Sequence, residues 1–385
     1  MTVIESNPRD DADVGTGTLT IDLGAVADNY GRLRQELNGV ACGACVKADA
    51  YGLGVVPVAK TLWQAGCRDF FVAHLGEGIE LRRTLPDAAI HVFAGLSSGA
   101  PETYRANNLI PVLNSLDDVA AWRSFGQACG SQLLCDLHVD TGMSRLGLDQ
   151  TETAQVVADP AVIEGLCLDV VMSHLASADI KDSDQSNRQR DEFLAVLPLI
   201  RSLYPCARAS LANSSGIFRG ADFHFDLARP GAALYGVNPT PGETSPIRQV
   251  INLEGKILQV RLVDTPRTVG YGASYSATGP TRLATVGAGY ADGYLRSLSN
   301  SGTAWFNDVE VPVVGRVSMD MITIDISSAD PNAARVGASV NLIGPKRDID
   351  DAAREAGTIA YEILTSLGHR YRRVYMNAPA QGGAK

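Results

Sequence analysis

The 385-residue sequence lacks any apolar run approaching the roughly 20 residues that a membrane-spanning helix requires. Its first residues, MTVIESNPRDDADVGTG, have neither the basic flank nor the apolar centre of a secretory signal. It also lacks a long basic run, and its net charge is −10, so a nucleic-acid partner has little support. We therefore expect a cytoplasmic protein that binds neither membranes nor nucleic acids.

Cysteine is also scarce. The chain has seven cysteines, an odd number, scattered through apolar segments such as LLCDLHV and GLCLDVV, which is typical of reduced, buried thiols. Cys42 and Cys45 have the spacing of a redox motif, but they lie in a strand-like run and do not open a helix. The favoured interpretation is that both cysteines are simply small residues of a strand. A redox or zinc-binding role is the minor alternative, and we predict no metal site.

Continuous apolar runs alternate with amphipathic stretches over the first two thirds of the chain. Such runs are typical of parallel strands buried on both faces. Eight of them fit a (β/α)8 barrel of the TIM type, an α/β fold. A doubly wound sheet is the alternative, but no G-x-G-x-x-G turn follows the first run. The runs span residues 41–47, 69–74, 89–94, 109–114, 132–140, 166–174, 207–213 and 225–236.

After about Pro239 the sequence becomes rich in β-branched residues and is broken by Gly and Pro. This pattern predicts a separate, mainly antiparallel β domain. The short GTLTIDL segment precedes the barrel and is expected to add a strand to that second domain. We therefore predict a tail and strand over residues 1–23, a barrel over 24–240 and a β domain over 241–385.

Several polar residues end the predicted barrel strands. In a barrel of this kind, strand ends meet at the catalytic rim. A single polar strand end is ordinary, but a lysine, two histidines and an arginine on one rim favour a functional site. The residues are Lys47, His74, Asn114, Asp140, His174 and Asn213, with Arg229 inside the last run.

A lysine on such a rim can form an imine with a carbonyl when burial or a cation lowers its pKa from about 10.4. The carbonyl is either that of a substrate or that of pyridoxal 5'-phosphate, which also needs a phosphate site. In ANSSG, Asn213 and Ser214 begin a short helical stretch that suits phosphate. Taken alone, that stretch is better explained as an ordinary helix N-cap than as a phosphate site. Beside Lys47, it favours the phosphate cofactor.

The sequence resembles the alanine racemase family, whose members use pyridoxal phosphate. The matching stretches keep the family's order and cover nearly the whole chain, and the resemblance implies a barrel followed by a β domain. They are VKADAYGLG, DTGMSRLG, SHLASAD, ANSSGIF, FDLARPGAALYG, VGYGASYSA, GAGYADGYLR and GRVSMDM.

By this resemblance Lys47 is both the imine lysine and one of two acid/base groups. Racemisation removes the α-proton from one face and returns a proton to the other, so a second group is required. The resemblance makes it Tyr271, supplied by the partner subunit of a head-to-tail homodimer. A phenol has a reference pKa of about 10, so such a tyrosine must be perturbed to act near neutrality. In the family a histidine and an arginine do this, here His174 and Arg229.

Further roles follow from the same resemblance. Arg229 is expected to bond the pyridine nitrogen, which an arginine does not readily protonate, and so to limit side reactions. The phosphate contacts are expected from Tyr51, Ser214 and the backbone of Gly231 and Ala232. By the same resemblance, Arg145 and the Met319 backbone are expected to bind the substrate carboxylate, and Tyr290 is expected to narrow the entrance of the site. The alternative is that Met319 and Tyr290 are simply core residues of the β domain. His74 and Asn114 have no assignable role.

Two departures from the family pattern stand out. Many members carry a carbamylated lysine seven residues before the arginine of DTGMSRLG, whereas this chain has His138. Arg145 is then positioned by His138, by water or by an anion, and we expect no bicarbonate dependence. Near the C-terminus, a phosphate-binding tyrosine is expected in LGHRYRRVY, where His369 and Tyr371 both remain candidates.

The predicted function is interconversion of L- and D-alanine, for peptidoglycan or for alanine catabolism. A broader amino-acid racemase, for example one acting on serine, is the nearest alternative. A related decarboxylase would need a cysteine in the second domain, whereas all seven cysteines precede Pro239. A non-catalytic pyridoxal-phosphate carrier is the alternative from another class, but it would not need Tyr271 or the β domain.

Overall fold

The fold combines a ring of parallel strands with a larger mixed sheet. The structure is a computed structural model that describes residues 3–5 and 15–377. Most of the predicted N-terminal tail, and residues 378–385, lie outside the described residues. In chain order the strands are β1 Val3–Glu5, β2 Gly17–Asp22, β3 Ala41–Cys42, β4 Ala44–Cys45, β5 Asp69–Val72, β6 Ala89–Val92, β7 Ile110–Leu113, β8 Leu134–His138, β9 Cys167–Met172, β10 Arg208–Ser210, β11 Leu227–Ala228, β12 Ile251–Val263, β13 Arg267–Val269, β14 Tyr275–Ala277, β15 Thr281–Val286, β16 Thr303–Phe306, β17 Val309–Pro312, β18 Ile322–Asp325, β19 Ser339–Ile343 and β20 Arg372–Met376.

Helices follow most of the ring strands. They are α1 Leu23–Leu37, α2 Lys47–Gly52, α3 Val55–Gln64, α4 Leu75–Thr84, α5 Pro101–Ala106, α6 Leu116–Ala128, α7 Gln150–Ala158, α8 Gln185–Leu203, α9 Ser214–Ile217, α10 Ile349–Ala356 and α11 Ala360–Ser366. Side-chain caps mark where several begin: Ser115 accepts a hydrogen bond from the N–H of Asp118, and Asp149 from that of Glu152. In the described part, no helix is both long and apolar enough to cross a membrane.

The ring is a closed barrel. Parallel pairing runs from β4 through β5, β6, β7, β8 and β9 to β10, and β11 pairs in parallel with β3. The β11 segment closes the ring from both sides. It bonds β10, as Asp226 N–H donates to Ala209 O at 3.0 Å, and it bonds β3 and β4, as Gly43 N–H donates to Ala228 O at 2.9 Å and Cys45 N–H to Pro230 O at 2.8 Å. A Cβ on Gly43 would lie 2.9 Å from the Phe71 ring, so only glycine fits between β3 and β4.

The predicted barrel is confirmed, and each of the eight apolar runs contains a strand. All four residues of β5 and all four of β7 are buried, as expected for parallel strands covered on both faces. Cys42 and Cys45, on β3 and β4, are buried, free thiols, and burial raises the pKa of both. They therefore pack as small strand residues.

The second sheet is mixed and mainly antiparallel. Its central strand, β12, pairs antiparallel with β2, β15 and β19, while β2 and β20 run parallel. The GTLTIDL segment forms β2 and lies in this sheet. The exact limits of the three predicted segments stay a prediction.

Candidate active site

A cavity of about 500 Å³ opens at the carboxyl ends of the barrel strands, where helix α11 faces it from the second half of the chain. Nine of the predicted site residues line it, so residues distant in sequence are brought together as expected. They are Lys47, Tyr51, Arg145, His174, Asn213, Ser214, Arg229, Gly231 and Ala232.

Lys47 follows β4 directly and begins an unusual turn. The four residues after it, 48–51, have φ values between 53° and 56°, so the chain makes a left-handed turn without glycine. The N–H of Ala48 donates to a carboxylate oxygen of Glu77 at 2.7 Å, and Asp49 accepts from the N–H of Val55 at 2.6 Å. The Lys47 Nζ atom lies 5.9 Å from the centre of the Phe93 ring.

Arg229 is a buried cation with one donor left free. Its side chain donates to Ser210 Oγ and, at 2.6 Å, to the backbone oxygen of Ser173. Its Nε atom is buried and has no hydrogen-bond partner among the described residues. Burial lowers the pKa of Arg229 to about 10, so it stays charged at neutral pH. A buried, unbonded donor of this kind suits an acceptor held in the cavity.

Ser214 and Gly231 form a small recess in the wall of the cavity, here called the cup. Ser214 Oγ accepts from the N–H of Gly231 at 3.0 Å and from that of Ala233 at 3.2 Å. A Cβ on Gly231 would lie 2.3 Å from the Tyr51 hydroxyl, so a side chain there would fill the cup. Asn213 caps the short α9, as its Oδ1 accepts from the N–H of Gly216 at 2.9 Å. Burial raises the pKa of Tyr51, which keeps its hydroxyl a neutral donor.

Two histidines lie on the side of the cavity near Arg145. His174 lines the cavity, and His138 ends β8. Burial, followed by the charge of Arg229, lowers the pKa of His138 to about 3. The same two causes hold the pKa of His174 well below its usual value. Both rings are therefore neutral near pH 7, and the cations here are Lys47, Arg145 and Arg229.

Three predicted site residues do not line this cavity within one chain. Tyr271, Tyr290 and Met319 lie on the β domain, with 71%, 43% and 52% of their surface exposed. Tyr290 and Met319 are adjacent, because Tyr290 N–H donates to Ser318 O at 3.0 Å and the next N–H, that of Ala291, donates to Met319 O at 3.0 Å. These three exposed residues of the β domain, Tyr271, Tyr290 and Met319, are here called the tyrosine face.

Two family models match the chain. The model described as "Alanine racemase, N-terminal domain" matches residues 21–239, and the model described as "Alanine racemase, C-terminal domain" matches residues 250–375. The chain belongs to the alanine racemase family. This confirms the resemblance and the fold class predicted from the sequence.

Individual alanine racemases are similar over nearly their whole length. That of Rhodospirillum rubrum is 48% identical over 365 residues, 94% of this chain and 96% of the relative. The catabolic alanine racemase of Mesorhizobium japonicum is 48% identical over 361 residues, 93% of each chain. The crystal structure of the Bartonella henselae alanine racemase, with covalently bound pyridoxal phosphate, has a TM-score of 0.89 and 40% identity, covering 94% of this chain and 99% of that one. The predicted isomerase class and the predicted cofactor are thereby confirmed.

One residue of this alanine racemase family member was missed by the sequence reasoning. Neither His369 nor Tyr371 lines the cavity, and the Tyr371 ring packs against Gly17 in the second sheet. Instead Tyr361 on α11 lines it, with its ring centre 6.1 Å from that of Tyr51. Burial raises the pKa of Tyr361 to about 12. The only signal was its place in GTIAYEILTSLG, where a helical pattern returns.

Proposed function

We propose that this protein interconverts L- and D-alanine with pyridoxal phosphate bound in the cavity. The observation that carries the proposal is the buried, unbonded Nε of Arg229, held in the same cavity as Lys47. The similarity to alanine racemases over nearly the full length supports it.

The residues present fit the cofactor. Lys47 would hold its aldehyde carbon, Arg229 Nε would donate to its ring nitrogen, and the cup of Ser214 and Gly231 would hold its phosphate. Tyr51 and Tyr361 lie beside that cup as neutral hydroxyl donors. When bound, pyridoxal phosphate withdraws electrons from the amino acid attached to it and so acidifies the Cα–H.

Lys47 and Tyr271 are proposed as the two groups that move the proton. Lys47 Nζ serves one face of the substrate and the Tyr271 hydroxyl the opposite face, as a change of configuration requires. His174 is neutral, because burial and then the charge of Arg229 hold its pKa well below its usual value, and it can accept a hydrogen bond from that hydroxyl. Arg229 itself retains its proton at neutral pH, because its pKa of about 10 lies well above that range.

A head-to-tail homodimer is proposed to complete the site. Tyr271 is 71% exposed and lies outside the cavity of its own chain. Lys47 is the base proposed on this chain, and His174 is a weak base because burial, and then the charges of nearby cations, hold its pKa well below its usual value. A partner subunit that places its tyrosine face over the cavity would supply Tyr271, and its Tyr290 would limit side-chain size. Arg145 and the Met319 backbone would bind the substrate carboxylate. We also propose that the enzyme works in the cytoplasm.

The test is a racemisation assay of the purified holoenzyme on a panel of L-amino acids, followed by optical rotation. We expect L-alanine to proceed to an equal mixture of both forms, and a Lys47→Ala variant to be inactive. Faster turnover of serine would favour the broader racemase. A yellow protein that racemises none of the panel would contradict the proposal.

A further inference from the structure

Strand β20 of the second sheet reaches the segment that follows the Lys47 turn. The Tyr375 hydroxyl donates to Leu53 O at 2.9 Å, and a Cβ on Gly54 would lie 2.3 Å from that hydroxyl. Tyr375 is buried, and burial raises the pKa of its phenol, so the hydroxyl stays protonated and can donate. The second sheet therefore contacts the barrel segment directly after α2.

Arg373 lies two residues before Tyr375, on the same face of β20, and bonds two elements at once. Its Nη1 donates to the oxygen of Gly52, the last residue of α2, at 2.6 Å, and its Nη2 donates to Leu367 O at 3.2 Å. Leu367 follows α11 directly, so its oxygen is one of the carbonyls that a helix end leaves without an intrahelical partner. These two hydrogen bonds are here called the Arg373 bridge. Because a guanidinium is planar and rigid, the bridge fixes the spacing of the two carbonyls.

The two elements that the Arg373 bridge joins carry the two tyrosines beside the cup. Tyr51 lies on α2 and Tyr361 on α11, and both line the cavity, with ring centres 6.1 Å apart. The two helices also touch near the bridge, where a Cβ on Gly52 would lie 2.5 Å from Leu364 O. A movement of α11 away from α2 would therefore separate the rings and carry the Tyr361 hydroxyl away from the cup.

We propose that Arg373 is a positioning residue that holds α2 and α11 together and so sets the spacing of Tyr51 and Tyr361 around the cup. This rests on the proposed function, in which the cup holds the cofactor phosphate. Arg373 is not among the described residues that line the cavity, so it acts through the two tyrosines rather than by touching the cofactor. A residue of the second sheet thus controls the cofactor site of the barrel.

Hydrogen exchange of the purified full-length protein tests the bridge without any assay of activity. Peptides covering residues 48–55 and 360–367 report on α2 and α11, and a peptide covering β8 is the internal control. Glutamine is shorter and has one donor group, so Arg373→Gln cannot bond both carbonyls. We expect exchange about 10-fold faster in both reporting peptides and unchanged in β8. Faster exchange in neither of them, or in only one, would overturn the proposal.

Tyr375→Phe is the matched comparison on the same strand. It removes the hydroxyl that donates to Leu53 O and leaves both bonds of the Arg373 bridge in place. We expect faster exchange in the peptide covering residues 48–55 and no change in the peptide covering 360–367. An equal rise in both peptides would show that any loss of contact from β20 loosens α11, and would contradict a specific role for Arg373.

Cofactor binding tests whether Arg373 acts through Tyr361. Arg373→Lys keeps the charge but bonds only one carbonyl at a time, so pyridoxal-phosphate affinity of the apoenzyme should fall about 10-fold. If Tyr361→Phe costs about 5- to 10-fold, the double variant should lose roughly 10- to 20-fold, well below the product of the two single losses. Losses that multiply fully would show that Arg373 does not act through Tyr361. Arg335→Lys, at an exposed arginine of the second half, is the control and should bind as the wild type does.

The two measurements separate this proposal from the proposed function. If the wild type binds no cofactor and racemises no amino acid, the proposed function fails, while peptide exchange still tests the bridge. If the wild type racemises alanine but Arg373→Gln changes neither peptide exchange nor cofactor affinity, the bridge alone is overturned. Should Arg373→Gln fail to fold, Arg373→Lys, which keeps the charge, takes its place in both measurements with the same expected directions.

Discussion

A carboxylate oxygen of Glu77 accepts a hydrogen bond, at 2.7 Å, from the backbone N–H of Ala48, the residue that follows Lys47. Its other oxygen accepts from the N–H groups of Ala73 at 2.7 Å and His74 at 3.2 Å. Glu77 therefore ties the ends of two neighbouring barrel strands, β4 and β5, together. The left-handed turn over residues 48–51 costs roughly 1–2 kcal/mol for each residue, so it needs such support.

Glu77→Gln should weaken cofactor binding. Glutamine keeps one acceptor but turns a donor toward a backbone N–H, so the turn that aims Lys47 loses part of its support. We expect an affinity for pyridoxal phosphate about 10-fold lower, the cost of roughly one charge-assisted hydrogen bond. The measurement is a titration of the apoenzyme by absorbance, with Glu102→Gln, exposed on α5, as control. An unchanged affinity would show that the turn holds itself.

Arg229→Glu should change the course of the reaction. Arg229 keeps its own proton near pH 7, because its pKa is about 10, so it would not protonate the ring nitrogen that it is proposed to bond. A glutamic acid there could donate a proton and stabilise negative charge on the substrate carbon more strongly. We expect a new long-wavelength absorbance with L-alanine and slow transamination. Arg229→Gln, which has no such proton, should lose activity without that absorbance; the same spectrum in both variants would contradict this role.

Lys47→Ala and Tyr271→Phe test whether the site is shared. Each variant alone should be nearly inactive. When the two are unfolded together and refolded, about half of the dimers are hybrids, and each hybrid has one site with both groups intact. The mixture should therefore regain about a quarter of wild-type activity. No recovery from well-folded hybrid dimers would place Lys47 and Tyr271 of one chain in the same site.

The barrel strands could be predicted because each is a continuous apolar run, which burial on both faces imposes. The rim residues Lys47 and His174 followed from their places at strand ends, and Arg229 from its place inside the last run. Tyr361 could not be found in this way. Tyr361 lies on α11, in the second half of the chain. Its approach to Tyr51 depends on the close packing of α11 against α2, where a Cβ on Gly52 would lie only 2.5 Å from Leu364 O.

The contact between Asn114 and His138 is a second feature, within the barrel, that could not be predicted from the sequence. Asn114 could be placed at a strand end and His138 inside the run 132–140, yet Asn114 had no assignable role. Its contact with the His138 ring depends on which amide atom faces Nδ1, 2.9 Å away, and that is set by the carbonyls of Phe93 and Val112 on two adjacent strands. Sequence patterns report burial and periodicity, but they do not report the direction of a hydrogen bond.

Tyr361→Phe should reduce cofactor affinity with little effect on the fold. Its hydroxyl lies at the cavity beside Tyr51, and its raised pKa of about 12 keeps it a donor. Removing it should weaken pyridoxal-phosphate binding about 5- to 10-fold, the scale of one hydrogen bond. Titration of the apoenzyme with free phosphate as competitor measures this. Equal competition by phosphate in wild type and variant would show that Tyr361 does not contact that group.

A buried ion cluster inside the barrel should make stability depend on pH. His91 is fully buried, with Nδ1 2.6 Å from Asp136 and Nε2 3.4 Å from Asp69, and Arg208 bonds Asp69 at 2.7 Å. Burial disfavours the charged ring, but the two carboxylates outweigh it and raise the pKa of His91 to about 9. The folded protein thus binds this proton more tightly than the unfolded chain, whose histidine pKa is about 6.5.

The stabilisation from charged His91 should be fully present below pH 6.5 and lost as the pH rises through about 9. Its size is on the order of 3 kcal/mol, from about 2.5 pKa units at 1.36 kcal/mol each. Urea unfolding of the wild type and of His91→Asn at pH 6 to 10 measures it, because groups whose pKa is the same in both proteins cancel in the difference. The free-energy gap should shrink across this window. A gap that is constant with pH would show that His91 is already neutral between its two carboxylates.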